Sequence, residues 1–94
     1  MIIRWLEDAI DDLQSLRRYI AQDNPTSANR IAKQILKTVN LLSLQPGIGR
    51  PGRVTRTREL IITNTPYIVP YQIKHHTVEI LRVFHGAMQW PEKP

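Results

Sequence analysis

Asn24-Pro25 falls between two stretches that each repeat apolar residues at helical spacing, and this break limits the chain's folding more than any other feature. Upstream, Ala9, Ile10, Leu13, Leu16 and Ile20 mark one face of a helix over 7–22. Downstream, Ala28, Ile31, Ala32, Ile35, Val39 and Leu42 mark a second helix over 25–44. Asparagine is a good N-cap, and proline fits the first helical position, where its missing N–H costs nothing. Glu7, Asp8, Asp11 and Asp12 crowd the start of the first helix and Arg17 and Arg18 its end, the polarity that the helix dipole favours. Gln45-Pro46-Gly47 stops the second helix, because proline cannot continue the hydrogen-bond ladder. Two helices joined by so few residues form an antiparallel hairpin.

Around this hairpin lie strand-like runs. "IIRWL" (2–6) precedes it. "ELIIT" (59–63), "YIVPYQI" (67–73) and "VEILRVF" (78–84) follow, joined by the short connectors "NTP" and "KHHT". The three later runs predict an antiparallel meander. Pro70 cannot donate to a ladder, so its run must be an edge strand or contain a bulge. The stretch 47–57 is the only long irregular one. The order predicts an α+β fold: an N-terminal strand, a two-helix hairpin, then a three-stranded antiparallel meander, with the helices on one face of the sheet. The 94 residues, 41% of them apolar and 22% charged, suit one domain, 1–94.

The same sequence excludes several classes of function. Cysteine is absent, so neither disulfides nor thiolate metal sites arise. No apolar run approaches the ~20 residues of a membrane span, and the N-terminus turns acidic where a signal peptide is apolar, so a cytoplasmic location is expected. His75 and His76 are neighbours in a predicted turn and point apart, so no metal is expected. "GIGRPG" leads into arginines and a strand, not into a helix, and fails the context of a dinucleotide loop; no cofactor is expected. The net charge of +5 is uneven: residues 1–45 hold six basic and five acidic side chains, residues 46–94 seven and three. An anionic partner on the second half and plain solubility explain this equally well.

Four arginines, Arg50, Arg53, Arg56 and Arg58, fall within "RPGRVTRTR". On strand alternation Arg56 and Arg58 share one face, with Leu60 and Ile62 continuing it inward. His85 closes the last strand before Gly86, and Arg82, three residues earlier, points to the other face. A histidine and arginines of this kind can move a proton and stabilise charge on phosphorus. The lack of a second acid–base group favours a histidine that only ties the turn together. Leu36, Leu41 and Leu44 lie off the main face of the second helix and signal either deep burial or a groove for a partner. Trp5, Tyr67 and Tyr71 are expected to pack inside, and Trp90 to close a small core or to stack on a base.

Together, "WLEDAIDDLQSLRRYIA", Pro25 and Ala28, "GRPGRV", "TREL", "YIVPYQI" and "VEILRVFHGAMQWP" resemble, over nearly the whole chain, the RelE/ParE superfamily of bacterial toxins from type II toxin–antitoxin pairs. The resemblance implies a growth inhibitor neutralised by a cognate antitoxin. RelE-like members cut mRNA in the ribosomal A site, whereas ParE-like members inhibit DNA gyrase. The RelE pattern "YRLVY" carries a catalytic arginine after the first tyrosine. Here "YIVPY" keeps Tyr67 and Tyr71 but places Ile68 there, and Glu59 and Ile61 replace basic residues of the preceding strand. "TREL" and "HGAMQWP" are similar to ParE-type members. The resemblance therefore implies a gyrase inhibitor without catalytic residues, with Arg50, Arg53, Arg56, Arg82 and His85 facing the target. The alternative is a ribosome-dependent mRNA endonuclease using His85 and Arg82. In either case an antitoxin segment, often acidic, is expected to lay a helix on the hairpin and add a strand at a sheet edge, touching Leu36, Leu41 and Arg58.

Overall fold

The computed structural model describes residues 1–87, so Trp90 and the end of "HGAMQWP" lie outside the described residues. Strand β1 (Ile2–Trp5) leads into helix α1 (Glu7–Ala21), then α2 (Pro25–Asn40). Asn24 caps α2 as its sequence predicts: its side chain accepts from the Ser27 N–H at 3.0 Å, and Pro25 opens the helix. The second helix ends earlier than the apolar period suggests. Its last turn tightens into a 3-10 turn, Leu41–Ser43. There the Ser43 hydroxyl donates to the Asn40 carbonyl at 2.9 Å, and the N-terminal ammonium donates to the Ser43 carbonyl at 2.7 Å.

The sheet orders its strands β1-β5-β4-β3-β2. Here β2 is Arg50–Pro51, β3 Arg58–Ile61, β4 Tyr67–Lys74 and β5 Thr77–Ile80. The expected meander β3-β4-β5 is antiparallel, and β1 lies parallel to β5 at one edge. The opposite edge is β2, in a stretch that the sequence marks as irregular. Leu60, Ile62, Tyr67, Val69, Tyr71, Val78 and Ile80 line the sheet face beneath the helices and meet Ala9, Ile35, Val39 and Leu42 from above. Side chains fully buried in this layer, such as Ile35 and Leu42, each contribute about 1.5–3 kcal/mol.

The run 78–84 is not one strand. It breaks after Ile80, and a two-residue strand β6 (Phe84–His85) resumes beside β4. Tyr71 pairs with Ile80 and Ile68 with Phe84, so Leu81, Arg82 and Val83 oppose only Val69 and Pro70. This is a β-bulge, and it resolves Pro70, which sits in a central strand. The Leu81 N–H donates to the Pro70 carbonyl at 2.9 Å, so the ring that lacks an N–H faces the bulged side, where no regular ladder bond is needed. Both central residues of the β4–β5 turn, His75 and His76, have positive φ, 51° and 60°, the backbone of a two-residue hairpin that asparagine and glycine adopt most readily.

Candidate functional site

The arginine-rich stretch folds around a buried acid. Glu59 is 1% exposed in β3. Arg50 donates to its Oε1 through Nε at 3.2 Å and Nη2 at 2.8 Å. The Arg53 backbone N–H donates to Oε2 at 3.1 Å, and the Arg53 guanidinium lies 3.6 Å from the same oxygen and 5.9 Å from the centre of the Phe84 ring. A carboxylate this deep must have its lone pairs filled, and both arginines supply donors. The loop closes through Gly52, whose N–H donates to the Thr57 carbonyl at 2.8 Å; a Cβ on Gly52 would collide with the Thr57 side chain.

Arg58 points to the neighbouring loop and donates to the carbonyls of Gly49 at 2.8 Å and Gly47 at 3.3 Å. Tyr71 reaches the same loop from below. Its hydroxyl donates to the Pro46 carbonyl at 2.7 Å and accepts from the Gly49 N–H at 2.9 Å. Burial pushes the Tyr71 hydroxyl up from the ordinary phenol value, so it stays a donor. Only glycine fits at 49, where a Cβ would lie 2.6 Å from the tyrosine ring.

Arg56 does not share a strand face with Arg58. It occupies a turn before β3 at φ 68°, where alternation does not apply, and its side chain is exposed. The bulge also overturns the expected opposition of Arg82 and His85. Arg82 reaches up to α1 and grips Asp12 at 2.7 and 2.9 Å, while His85 lies across from Tyr67 on the same helix-facing side. The hydrogen bond to the Asp12 carboxylate pushes the Arg82 guanidinium further up.

His85 is exposed and meets the Tyr67 ring edge-on at 5.8 Å. Its Nδ1 accepts from the Ala87 N–H at 3.1 Å. That bond occupies the Nδ1 lone pair and fixes the neutral ring as the Nε2–H tautomer, a donor toward solvent. Ile68, at the position where the RelE pattern has arginine, is 7% exposed and packs near Gly86. Among the described residues no three His, Asp or Glu side chains converge on a metal position.

A groove of about 720 Å³ runs between α1 and α2. Leu13, Ala21, Ala32 and Leu36 floor it, and Arg17, Arg18 and Lys33 stand along it. Arg17 spans the helices to Asn29, donating through Nε at 3.1 Å and Nη2 at 2.8 Å. Leu36 remains 42% exposed here, Leu41 51% and Leu44 88% beyond the end of α2. So the structure gathers Arg50 and Arg53 on Glu59, gives Arg58 to a separate loop, sets Arg82 against Asp12, and leaves the leucines on the hairpin. Sequence reasoning missed Glu59, Asp12 and the Tyr71 hydroxyl as organisers. A lone acid among four arginines was the available signal for Glu59; nothing local marks the others.

Residues 3–90 match the family described as the ParE toxin of the type II toxin–antitoxin system parDE. The chain is 43% identical over 90 residues to Y4kP of Sinorhizobium fredii, covering 96% of this chain and 93% of that one. It is 34% identical over 83 residues to toxin RelE2 of Caulobacter vibrioides, covering 88% and 92%. Among solved structures it superposes on a chain of the chromosomal ParDE system of Pseudomonas aeruginosa with a TM-score of 0.80 at 27% identity, covering 90% and 95%. It also superposes on a chain of the toxin–antitoxin complex RelBE2 of Mycobacterium tuberculosis with a TM-score of 0.64 at 29% identity, covering 89% and 95%. A helical hairpin over a meander, matched along nearly its full length, leaves one conclusion: the chain belongs to the ParE toxin family of type II toxin–antitoxin systems, within the RelE/ParE superfamily.

Proposed function

We propose that this toxin inhibits DNA gyrase and does not cleave RNA. One observation carries the reading: the position of the RelE-type catalytic arginine is a buried isoleucine, Ile68, while Arg50, Arg53 and Arg82 are each paired with an acid of the same chain. Phosphoryl chemistry needs cationic groups aimed at the developing charge, and these arginines are already aimed at Glu59 and Asp12. At His85, Nδ1 is already engaged by the Ala87 N–H, and the ring lies edge-on against Tyr67. The target-facing surface on this reading is Arg53, Arg56 and His85, with Arg50 and Arg82 holding it in shape.

The cognate antitoxin is proposed to cover the hairpin groove, where Leu36 and the cations Arg17, Arg18 and Lys33 suit an acidic amphipathic segment, and to extend toward Leu41. Both partners place the protein in the cytoplasm. No described helix is long and apolar enough to cross a membrane.

Gyrase supercoiling and ribosome-dependent mRNA cleavage, measured side by side for wild type and His85→Ala, test the target. Gyrase inhibition by wild type, weakened by roughly tenfold in the variant, and no cleavage are expected. Cleavage in the ribosomal A site, abolished in His85→Ala with gyrase untouched, overturns the reading in favour of the RelE-type nuclease.

A further inference from the structure

We propose that Asp12 is a positioning residue for His85, acting across the two layers through the 81–83 bulge. The bulge is where the register of β6 is decided: three residues oppose two, and the partner strand offers no N–H at Pro70 to choose among alternatives. Only Leu81 is fixed by the sheet, through its bond to the Pro70 carbonyl. The next two residues are fixed by the helix layer instead. Asp12 Oδ2 accepts from the Val83 N–H at 2.9 Å and from Arg82 Nε at 2.7 Å, and Oδ1 accepts from Arg82 Nη2 at 2.9 Å. One carboxylate therefore holds a backbone amide that the sheet leaves unpaired and the side chain beside it.

The consequence falls on the strand that follows. Strand pairs alternate faces, so a slip of one residue in β6 turns every side chain over. In the observed register His85 lies across from Tyr67 on the helix-facing side, and Phe84 pairs with Ile68 on the other. Slipped by one, Phe84 would face Tyr67 and His85 would leave its place. The bonds that complete the His85 geometry lie beyond the bulge: the Gly86 N–H to the Pro66 carbonyl at 2.7 Å, and the Ala87 N–H to His85 Nδ1 at 3.1 Å. Both exist only in the register that Asp12 selects. The ion pair is 18% exposed at Asp12 and 23% at Arg82, so it lies under the surface as a support.

The functional consequence rests on the reading of His85 as a target contact, and the test separates the two. Asp12→Ala and Asp12→Asn are prepared as full-length chains. His85 is observed by ring ¹⁵N NMR near about pH 9, above the ordinary imidazole range, together with its contacts to Tyr67. Wild type should show one His85 with the Nε2–H tautomer. Asp12→Ala should lose that single signature and the Tyr67 contact. Its gyrase inhibition should fall by roughly tenfold or more, while antitoxin affinity changes by less than about threefold. Asn keeps an oxygen for Val83 but loses the bidentate arginine contact, so Asp12→Asn should show mixed His85 environments and a loss of about threefold. If Asp12→Ala fails to fold, Asp12→Asn carries the test. A wild-type His85 spectrum in either folded variant overturns the proposal. A displaced His85 with full gyrase inhibition upholds the positioning role and removes His85 from the target surface.

Discussion

Arg50, Arg53 and Arg58 belong to one cationic region of this toxin, and Arg17, Arg18 and Lys33 to another, and the two use their charge differently. The first three sit in the densest run of arginines in the chain, yet each is bound inward, to Glu59 or to the carbonyls of Gly47 and Gly49. The second three are spread over two helices and look unremarkable in sequence, yet they stand along an apolar groove with room for a partner. Cation density along a sequence therefore measures demand for anions, and the anion can lie in the same chain. What makes a basic surface is the company of the charge: a buried carboxylate in the loop, exposed leucine beside lysine on the hairpin.

The largest effect is expected at Glu59. Glu59→Ala removes the acid around which the loop folds. Losing one partner of a fully buried pair costs about 3–5 kcal/mol, but Arg50 and Arg53 are half exposed and regain water. A loss of about 2–3 kcal/mol is therefore expected, a fall in Tm on the order of 10 °C by calorimetry. The freed arginines should also make the variant bind heparin more tightly than wild type. Unchanged heparin retention with an intact loop would show that the arginines were already free.

The neighbouring loop gives the next effect. Tyr71→Phe keeps the ring in the core but strands the Pro46 carbonyl and the Gly49 N–H. Two hydrogen bonds to a buried hydroxyl are worth about 1–2 kcal/mol together, measurable by urea denaturation. A smaller loss means that water replaces the hydroxyl and the loop is not latched from below.

On the hairpin the readout changes from stability to binding. Leu36→Ala should weaken antitoxin affinity by about tenfold, since burying a half-exposed leucine at an interface is worth on the order of 1.5 kcal/mol. Lys33→Glu should weaken it further and remove part of its salt dependence. Thermal stability should change little in either case, because neither side chain is buried in the free toxin. Calorimetric titration with the antitoxin checks this, and unchanged affinity in both variants would move the partner off the groove.

The helical hairpin was legible because its information is local. Asn24, Pro25 and the spacing of Ala28 to Val39 act within a few residues, and the structure reproduces them. The meander was legible for the same reason. The last strand was not, because its break depends on Pro70, which lies in another strand, and on Asp12, which lies in the other layer. The arginine stretch failed differently. Strand alternation places Arg56 and Arg58 on one face, but the turn at Val54–Thr57 ends only at Arg58. Pairing across layers and the start of a strand after a loop are set by tertiary contacts, which a pattern of neighbours does not contain.

Arg56 offers the smallest test and the finest one. Among the described residues it is the loop arginine for which no ion pair or hydrogen bond is found, and it stands at φ 68°. For a residue with a Cβ that backbone costs roughly 1–2 kcal/mol, which glycine avoids. Glycine also gives the unfolded chain more freedom, which takes back about 0.5–1 kcal/mol. Arg56→Gly should therefore leave the toxin more stable by about 0.5 kcal/mol, and Arg56→Ala, which keeps the Cβ, should leave stability unchanged. If exposed Arg56 touches the target, both variants should lose gyrase inhibition by the same two- to threefold, since both lose the same charge. Equal losses with unequal stabilities would separate the charge from the backbone. Full inhibition by both would take Arg56 out of the contact and leave Arg53 as the arginine of this loop that faces the target.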